Sequence, residues 1–248
     1  LVGGDTNPGI GGPFPFEGES CCEWTKTYLP DFTFISLYTS DETLTSPEDF
    51  ISAYNTGNTF VLYHGHGLQD RLVTYKPNST ETVNVFHADD INQLTNTVFP
   101  VTVVGCCQTT DFDTSLFNFL DVFNNMDQHH YFWNFKYECV PDCIGWTMLK
   151  QAHSGSIAHL GSSSTAWGST GDSNNDGIPD AAQFGFTTGI CTAFFQIYGK
   201  NSHLSLGEIY RDALIQIIEE NHARSVKTQC KCVQEFILLG DPSLQIGE

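Results

Sequence analysis

Three apolar runs, TFVLYH (residues 59–64), PVTVVG (100–105) and GSIAHLG (155–161), stand between segments of helical spacing. Near-continuous apolar runs of this length predict strands buried on both faces, the usual state of a parallel sheet. FTFISLYTS (32–40) predicts another strand from its β-branched and aromatic content. SPEDFISAYN (46–55), with Ser46 as N-cap, HADDINQLTN (87–96) and CIGWTMLKQAH (143–153) predict short helices. LSLGEIYRDALIQIIEENH (204–222) is the clearest amphipathic helix, and the Gly- and Pro-rich residues 1–20 read as a loop entering a helix near Cys21 to Tyr28. Strands alternating with helices argue for an α/β domain with helices on both faces of the sheet. With 248 residues and 40% hydrophobic content, one domain over 1–248 can bury a substantial core. Residues 111–137, dense in Phe, Trp and Tyr, read as an insertion that forms a satellite core beneath a long loop.

Two of these strands end on reactive side chains. Tyr63-His64-Gly65-His66-Gly67 leaves one strand end and Gly105-Cys106-Cys107-Gln108 another. Sites of open α/β sheets lie at the carboxyl ends of strands. If the two strands are neighbours, an imidazole faces a thiol, serving as its base and later as the proton donor. The N–H groups of Gly67 and Cys107 are then candidates to hold an oxyanion. A zinc site from His64, His66, Cys106 and Cys107 is a weaker alternative, because no paired, finger-like spacing accompanies them.

Ten basic against twenty-nine acidic residues give a formal charge of −19, which repels phosphate backbones and argues against nucleic-acid binding. No apolar run is long enough to span a membrane. Nine cysteines and an NST sequon at Asn78 point to a secreted or cell-surface protein with disulfides, and the odd count leaves at least one thiol over. LVGG reads as the tail of a strand, so a signal or pro-segment ahead of Leu1 is expected.

Residues 172–180, DSNNDGIPD, place oxygen ligands at alternate positions around a glycine turn. They predict a calcium loop with Asp172, Asn174, Asp176, the carbonyl of Ile178 and Asp180 as ligands, although Gln183 stands where an EF-hand carries its closing glutamate.

YHGHG, VVGCCQTTDF, GSIAHLGSSSTAWG and LLGDPSL together resemble the catalytic domain of gingipain-type cysteine peptidases, from about Leu1 to Leu244. The resemblance implies a caspase-like three-layer α/β sandwich, His66 as catalytic histidine, Cys107 as nucleophile, and Trp167 lining the pocket for the side chain before the scissile bond. It implies a peptide or protein substrate and, as further partner, a pro-segment or the family's preceding N-terminal subdomain, which is absent here. Two departures stand out. The arginine-cleaving members carry a glutamate ahead of their GG pair to orient the histidine, where Val2 precedes Gly3-Gly4. They also carry an aspartate at the pocket base, where Cys21 follows Glu19-Ser20; Glu19 and Cys21 are thus the expected pocket residues, without a carrier for basic specificity. Asp5, Glu17 and Glu19 are the candidates to replace the orienting acid. The expected activity is a cysteine endopeptidase working through a thioester. Its rivals are a transpeptidase of the same fold and a non-catalytic calcium-binding surface module.

Overall fold

The computed structural model describes residues 1–9, 12–112, 142–184, 186–220 and 226–246. Its strands are β1 (Val2–Gly3), β2 (Leu37–Tyr38), β3 (Phe60–His64), β4 (His66–Gly67), β5 (Arg71–Tyr75), β6 (Thr82–His87), β7 (Val101–Gly105), β8 (Ala158–Ser162) and β9 (Phe236–Leu239). Its helices are α1 (Glu17–Lys26), α2 (Pro47–Asn55), α3 (Ile144–Leu149), α4 (Asp180–Gln183), α5 (Thr187–Lys200), α6 (Leu206–Glu220) and α7 (Lys227–Glu235), with a 3-10 turn over Ala88–Gln93.

The main sheet runs β2-β1-β3-β7-β8-β9, parallel except for β9 at one edge. A smaller antiparallel ribbon, β4-β5-β6, follows directly from β3. Side chains alternate along the strands: Leu62, Val103 and Leu160 pack beneath α5 and α6 with Ile190, Phe194 and Ile209. Val61, Tyr63 and Val104 pack on the other face with Phe50 and Tyr54 of α2, Ile144 and Met148 of α3, and Val83 and Val85 of the ribbon. This is the three-layer, mostly parallel sandwich expected. Among the described residues no helix is long and apolar enough to cross a membrane.

The Gly3-Gly4 pair and Gly18 let α1 lie directly on the sheet. A Cβ on Gly3 would come within 2.7 Å of the Gly18 carbonyl carbon, and one on Gly18 within 2.5 Å of the His64 carbonyl oxygen. Backbone meets backbone there, and only glycine fits.

Several elements differ from expectation. The strand expected over 32–40 pairs only at Leu37 and Tyr38; ahead of it Phe32 turns its ring into an aromatic cluster, 5.9 Å from Phe60 and 6.0 Å from Tyr198. The helix expected over 87–96 is the 3-10 turn, begun by His87 Nδ1 accepting the Asp89 N–H at 3.1 Å. The helix expected over 143–153 stops at Leu149. The ribbon strands β5 and β6 and the helices α5 and α7 are additional; α5 is buried on nearly every side, which leaves no polar face to betray a helical period. The disulfide framework does not form among the described residues: eight cysteines are described, and all eight are free, six of them sealed in the core. Of the aromatic insertion and Cys139, only residues 111 and 112 lie within the described residues.

His64 and His159 are fully buried, and burial lowers each pKa from its usual 6.5 to about 3. Below pH 6.5 the unfolded chain binds protons that the fold refuses, so both histidines cost stability as pH falls toward 3. Buried Glu17 and Glu19, whose pKa values burial raises, act in the opposite sense, gaining stability on acidification. Comparing His64→Leu with the parent by urea unfolding isolates one histidine. Between pH 6.5 and about 4.5, the variant should gain on the parent by about 1.4 kcal/mol per pH unit. A difference that stays constant with pH contradicts the burial of a neutral His64.

Candidate active site

β3 and β7 are parallel neighbours with His64 opposite Gly105. Residues 66 and 107 therefore both lie two positions beyond one paired rung, and His66 and Cys107 line the same cavity of about 240 Å³. Gly65 makes the exit from β3 possible, since a Cβ there would sit 2.2 Å from the Tyr63 hydroxyl. That hydroxyl donates to the His66 carbonyl at 2.9 Å and to the Val73 carbonyl, tying the start of β4 to β5.

The His66 ring is held from two sides. Its Nε2 lies 2.7 Å from the Thr6 carbonyl oxygen, and Tyr75 meets it edge-on with ring centroids 5.4 Å apart. A carbonyl only accepts, so Nε2 carries the proton and, in the neutral ring, Nδ1 keeps the lone pair. The Thr6 segment is itself fastened. The Glu17 carboxylate accepts the Thr6 N–H at 3.3 Å and its hydroxyl at 2.9 Å. Asp5 accepts the N–H of Asn7 at 3.1 Å and of Asn78 at 2.8 Å, while its carbonyl accepts the Tyr75 N–H at 3.1 Å. A backbone carbonyl thus holds the His66 ring, with Glu17 and Asp5 fixing the segment that presents it. Glu19 is engaged elsewhere, accepting from Thr39 and Ser40.

The turn that carries Cys107 is braced against the continuation of β8. Gln108, at φ +57°, donates its N–H to Ser164 at 3.0 Å, and Thr110 donates to Ser162 at 3.1 Å. This brings the Ala166 N–H to 3.2 Å from Cys107 Sγ, which is unbonded to any other sulfur. Cys106 is buried on the opposite side, against Gly67: a Cβ on Gly67 would meet its sulfur at 2.2 Å and the Cys107 carbonyl oxygen at 2.5 Å. Leu68 N–H bonds the Arg71 carbonyl at 2.9 Å, so in an antiparallel ladder the next pair, Gly67 with Leu72, is a non-bonded one whose Gly67 N–H is directed away from β5.

Burial dominates the electrostatics. It pushes the Cys107 thiol above its usual range, against the Ala166 N–H and the Lys231 charge, which favour the thiolate. It pulls the His66 imidazole below its usual 6.5, against the Thr6 carbonyl and the charge of Asp5. Both shifts favour the neutral thiol and the neutral imidazole over an ion pair. Lys231, whose Nζ donates to the Thr165 carbonyl at 2.8 Å, was not signalled by any motif. Nor were Thr6 and Ala166, which act through backbone atoms.

The other expected site residues lie apart from this cavity. Cys21 is fully buried under Ala181 and Ala182 of α4, with Trp24 beside it, so neither it nor Glu19 lines the space next to Cys107. Trp167 follows Ala166 but is 48% exposed and lies outside the cavity lining; its carbonyl accepts the Thr187 N–H at 3.1 Å. His64 is enclosed against Gly105 and Thr188. Among the described residues no three His, Cys, Asp or Glu side chains converge to hold a metal, neither at 64, 66, 106 and 107 nor at 172–180. The 172–180 loop turns through Asn175 and Gly177, both at positive φ. Asp172 accepts the N–H groups of Asp176 and Gly177, Asp176 that of Ile178, and Asp180 that of Ser173, while the Asn174 amide donates to Asp176.

Comparison with known proteins agrees with this architecture. The model of peptidase family C25 matches residues 1–247. The chain is similar to the Arg-specific cysteine proteinase gingipain R, with a TM-score of 0.65 and 14% identity over 99% of this chain and 46% of that one. It is similar to the complex of Porphyromonas gingivalis RgpB pro- and mature domains, with a TM-score of 0.62 and 16% identity over 99% of this chain and 47% of that one. A further structure described as a protease matches at 0.57 and 13% identity over 98% and 48%. The chain spans about half the length of these structures. No match is found among curated proteins.

The neutral resting pair makes a test of Lys231. Iodoacetamide should alkylate Cys107 along a profile that rises only toward alkaline pH, and Lys231→Met should move that profile further up by removing a charge that favours the thiolate. A rate already at its plateau below pH 7, or a profile unmoved in Lys231→Met, contradicts this electrostatic picture.

Proposed function

The chain belongs to peptidase family C25, the gingipain-type cysteine peptidases, and we propose that it is a catalytic domain that cleaves peptide bonds of protein substrates through Cys107 and His66. The observation that carries the reading is the shared cavity, which both side chains line from adjacent strand ends.

On this reading substrate binding brings a carbonyl carbon against Cys107 Sγ. His66 Nδ1 takes the thiol proton as the sulfur attacks, which suits a pair that rests neutral. The N–H groups of Gly67 and Cys107 receive the oxyanion. The imidazolium then gives its proton to the leaving amine, the carbon–nitrogen bond breaks, and a thioester remains. Water, deprotonated by His66, releases the acid and restores the thiol. The Thr6 carbonyl fixes the ring and accepts its Nε2–H throughout, doing by a dipole what an acid does by a charge.

Calcium belongs to the same proposal. The donors at 172–180 are hard oxygens of the kind calcium takes, but here the carboxylates accept N–H groups of the loop and of Gln183, Asp176 Oδ2 two of them, so the ion would bind by displacing those bonds and drawing the three carboxylates together. Asp172, Asp176, Asp180, Asn174 and the Ile178 carbonyl would hold it, supplying rigidity to a segment that leads into α4 and α5. RgpB is known as a complex of pro- and mature domains, which supports a pro-segment as partner, and the NST sequon at Asn78 supports a secreted or cell-surface setting.

Cys107→Ala should abolish cleavage of a protein substrate and labelling by an acyloxymethyl ketone, whereas persistence of labelling, or its appearance on Cys106, contradicts the assignment. Glu17→Ala should lower kcat about ten- to a hundredfold with little change in KM, because it frees the Thr6 segment that aligns His66; an unchanged kcat removes Glu17 from this role. For calcium, an ion present at about 100 times its dissociation constant should stabilise the fold by about 2.7 kcal/mol in urea unfolding. Asp176→Asn should erase most of that gain, and an absence of any calcium effect in the parent refutes the loop assignment.

A further inference from the structure

The cavity beside Cys107 is walled by the ribbon, and its chemistry differs from a pocket for arginine or lysine. Leu68, Val73 and Tyr75 supply its apolar walls, with Thr82 and Asn84 as neutral polar groups. Among the described residues that line it there is no carboxylate. Its one guanidinium, Arg71, is already paired: Nε lies 2.8 Å and Nη2 2.7 Å from the two oxygens of Asp70, which also receives His87 Nε2 at 2.9 Å. The pair thus sets the Asp70 carboxylate against the guanidinium that lines the cavity. A cationic side chain entering it would leave water without meeting a carboxylate among the described lining residues, and an anionic one would compete with Asp70 for Arg71. An apolar side chain loses nothing by desolvation and gains contact with the walls.

Resting on the peptidase reading above, we propose that this cavity is a substrate subsite that selects a large apolar or aromatic side chain next to the scissile bond. The protein's charge of −19 draws basic polypeptides toward its surface in general, but the discrimination lies in this largely apolar space without a described carboxylate. Asn84, exposed on β6 at the rim of the cavity, is the position from which preference can be turned.

The test reads binding on the sulfur itself, so it does not need turnover. Peptides scanned at each position are used to protect Cys107 from iodoacetamide, with modification located by mass spectrometry. At one position, Leu, Met or Phe should protect at concentrations about tenfold lower than Arg or Lys, and Asn84→Asp should erase or reverse that ratio by adding a carboxylate of nearly the same shape. Equal protection by all side chains, a preference for Arg or Lys in the parent, or no effect of Asn84→Asp overturns the proposal. A sulfur that no reagent reaches overturns it together with the peptidase reading. If peptides protect as expected but His66→Ala leaves the rate of cleavage unchanged, the dyad fails while the subsite stands.

Discussion

The site depends on the parallel pairing of β3 with β7. Five rungs, from Phe60 opposite Val101 to His64 opposite Gly105, set the two strand ends level with each other. A slip of one residue would turn Tyr63 and Val104 to the wrong face of the sheet and carry His66 or Cys107 away from the cavity. The apolar faces of both strands resist that slip, because each is buried on both sides beneath helices. Burial of the sheet thus provides both stability and the alignment of the reactive groups.

The same burial explains how the pair rests. Desolvation outweighs every local favour to charge at Cys107 and His66, which favours the thiol and the neutral imidazole. The hydrogen bonds around it are suited to positioning: Thr6 to His66, Ala166 to Cys107, Ser164 to Gln108. Glu17 reaches the histidine only through Thr6. A carboxylate one residue segment removed exerts a weaker charge effect on the ring than one in contact, and that places more of the work on geometry.

Much of this was legible in the residues. Apolar runs broken by G-H-G and G-C-C announce strands with loaded ends, and the parallel-sheet rule then brings those ends together. The family resemblance points to the same two residues. What stayed hidden did so for physical reasons. Thr6 and Ala166 contribute backbone atoms, which have no residue-type signature, and Lys231 arrives from a helix 124 positions after Cys107 in the chain (231 − 107). Cys21 reads as a pocket residue until α4, four residues long and too short for any periodic pattern, covers it with Ala181 and Ala182. The ribbon strands RLVTY and TVNVFH do alternate in burial, yet their role as a cavity wall appears only when β4 folds back after Gly65.

The most direct test of the central claim is nitrogen NMR of the His66 ring, assigned with His66→Gln, before and after alkylation of Cys107. A neutral Nε2–H tautomer near pH 7, whose Nδ1 resonance moves when the sulfur is modified, is the expected result. An Nδ1–H tautomer, or a ring whose signals ignore the modification, would show that imidazole and thiol do not share a site.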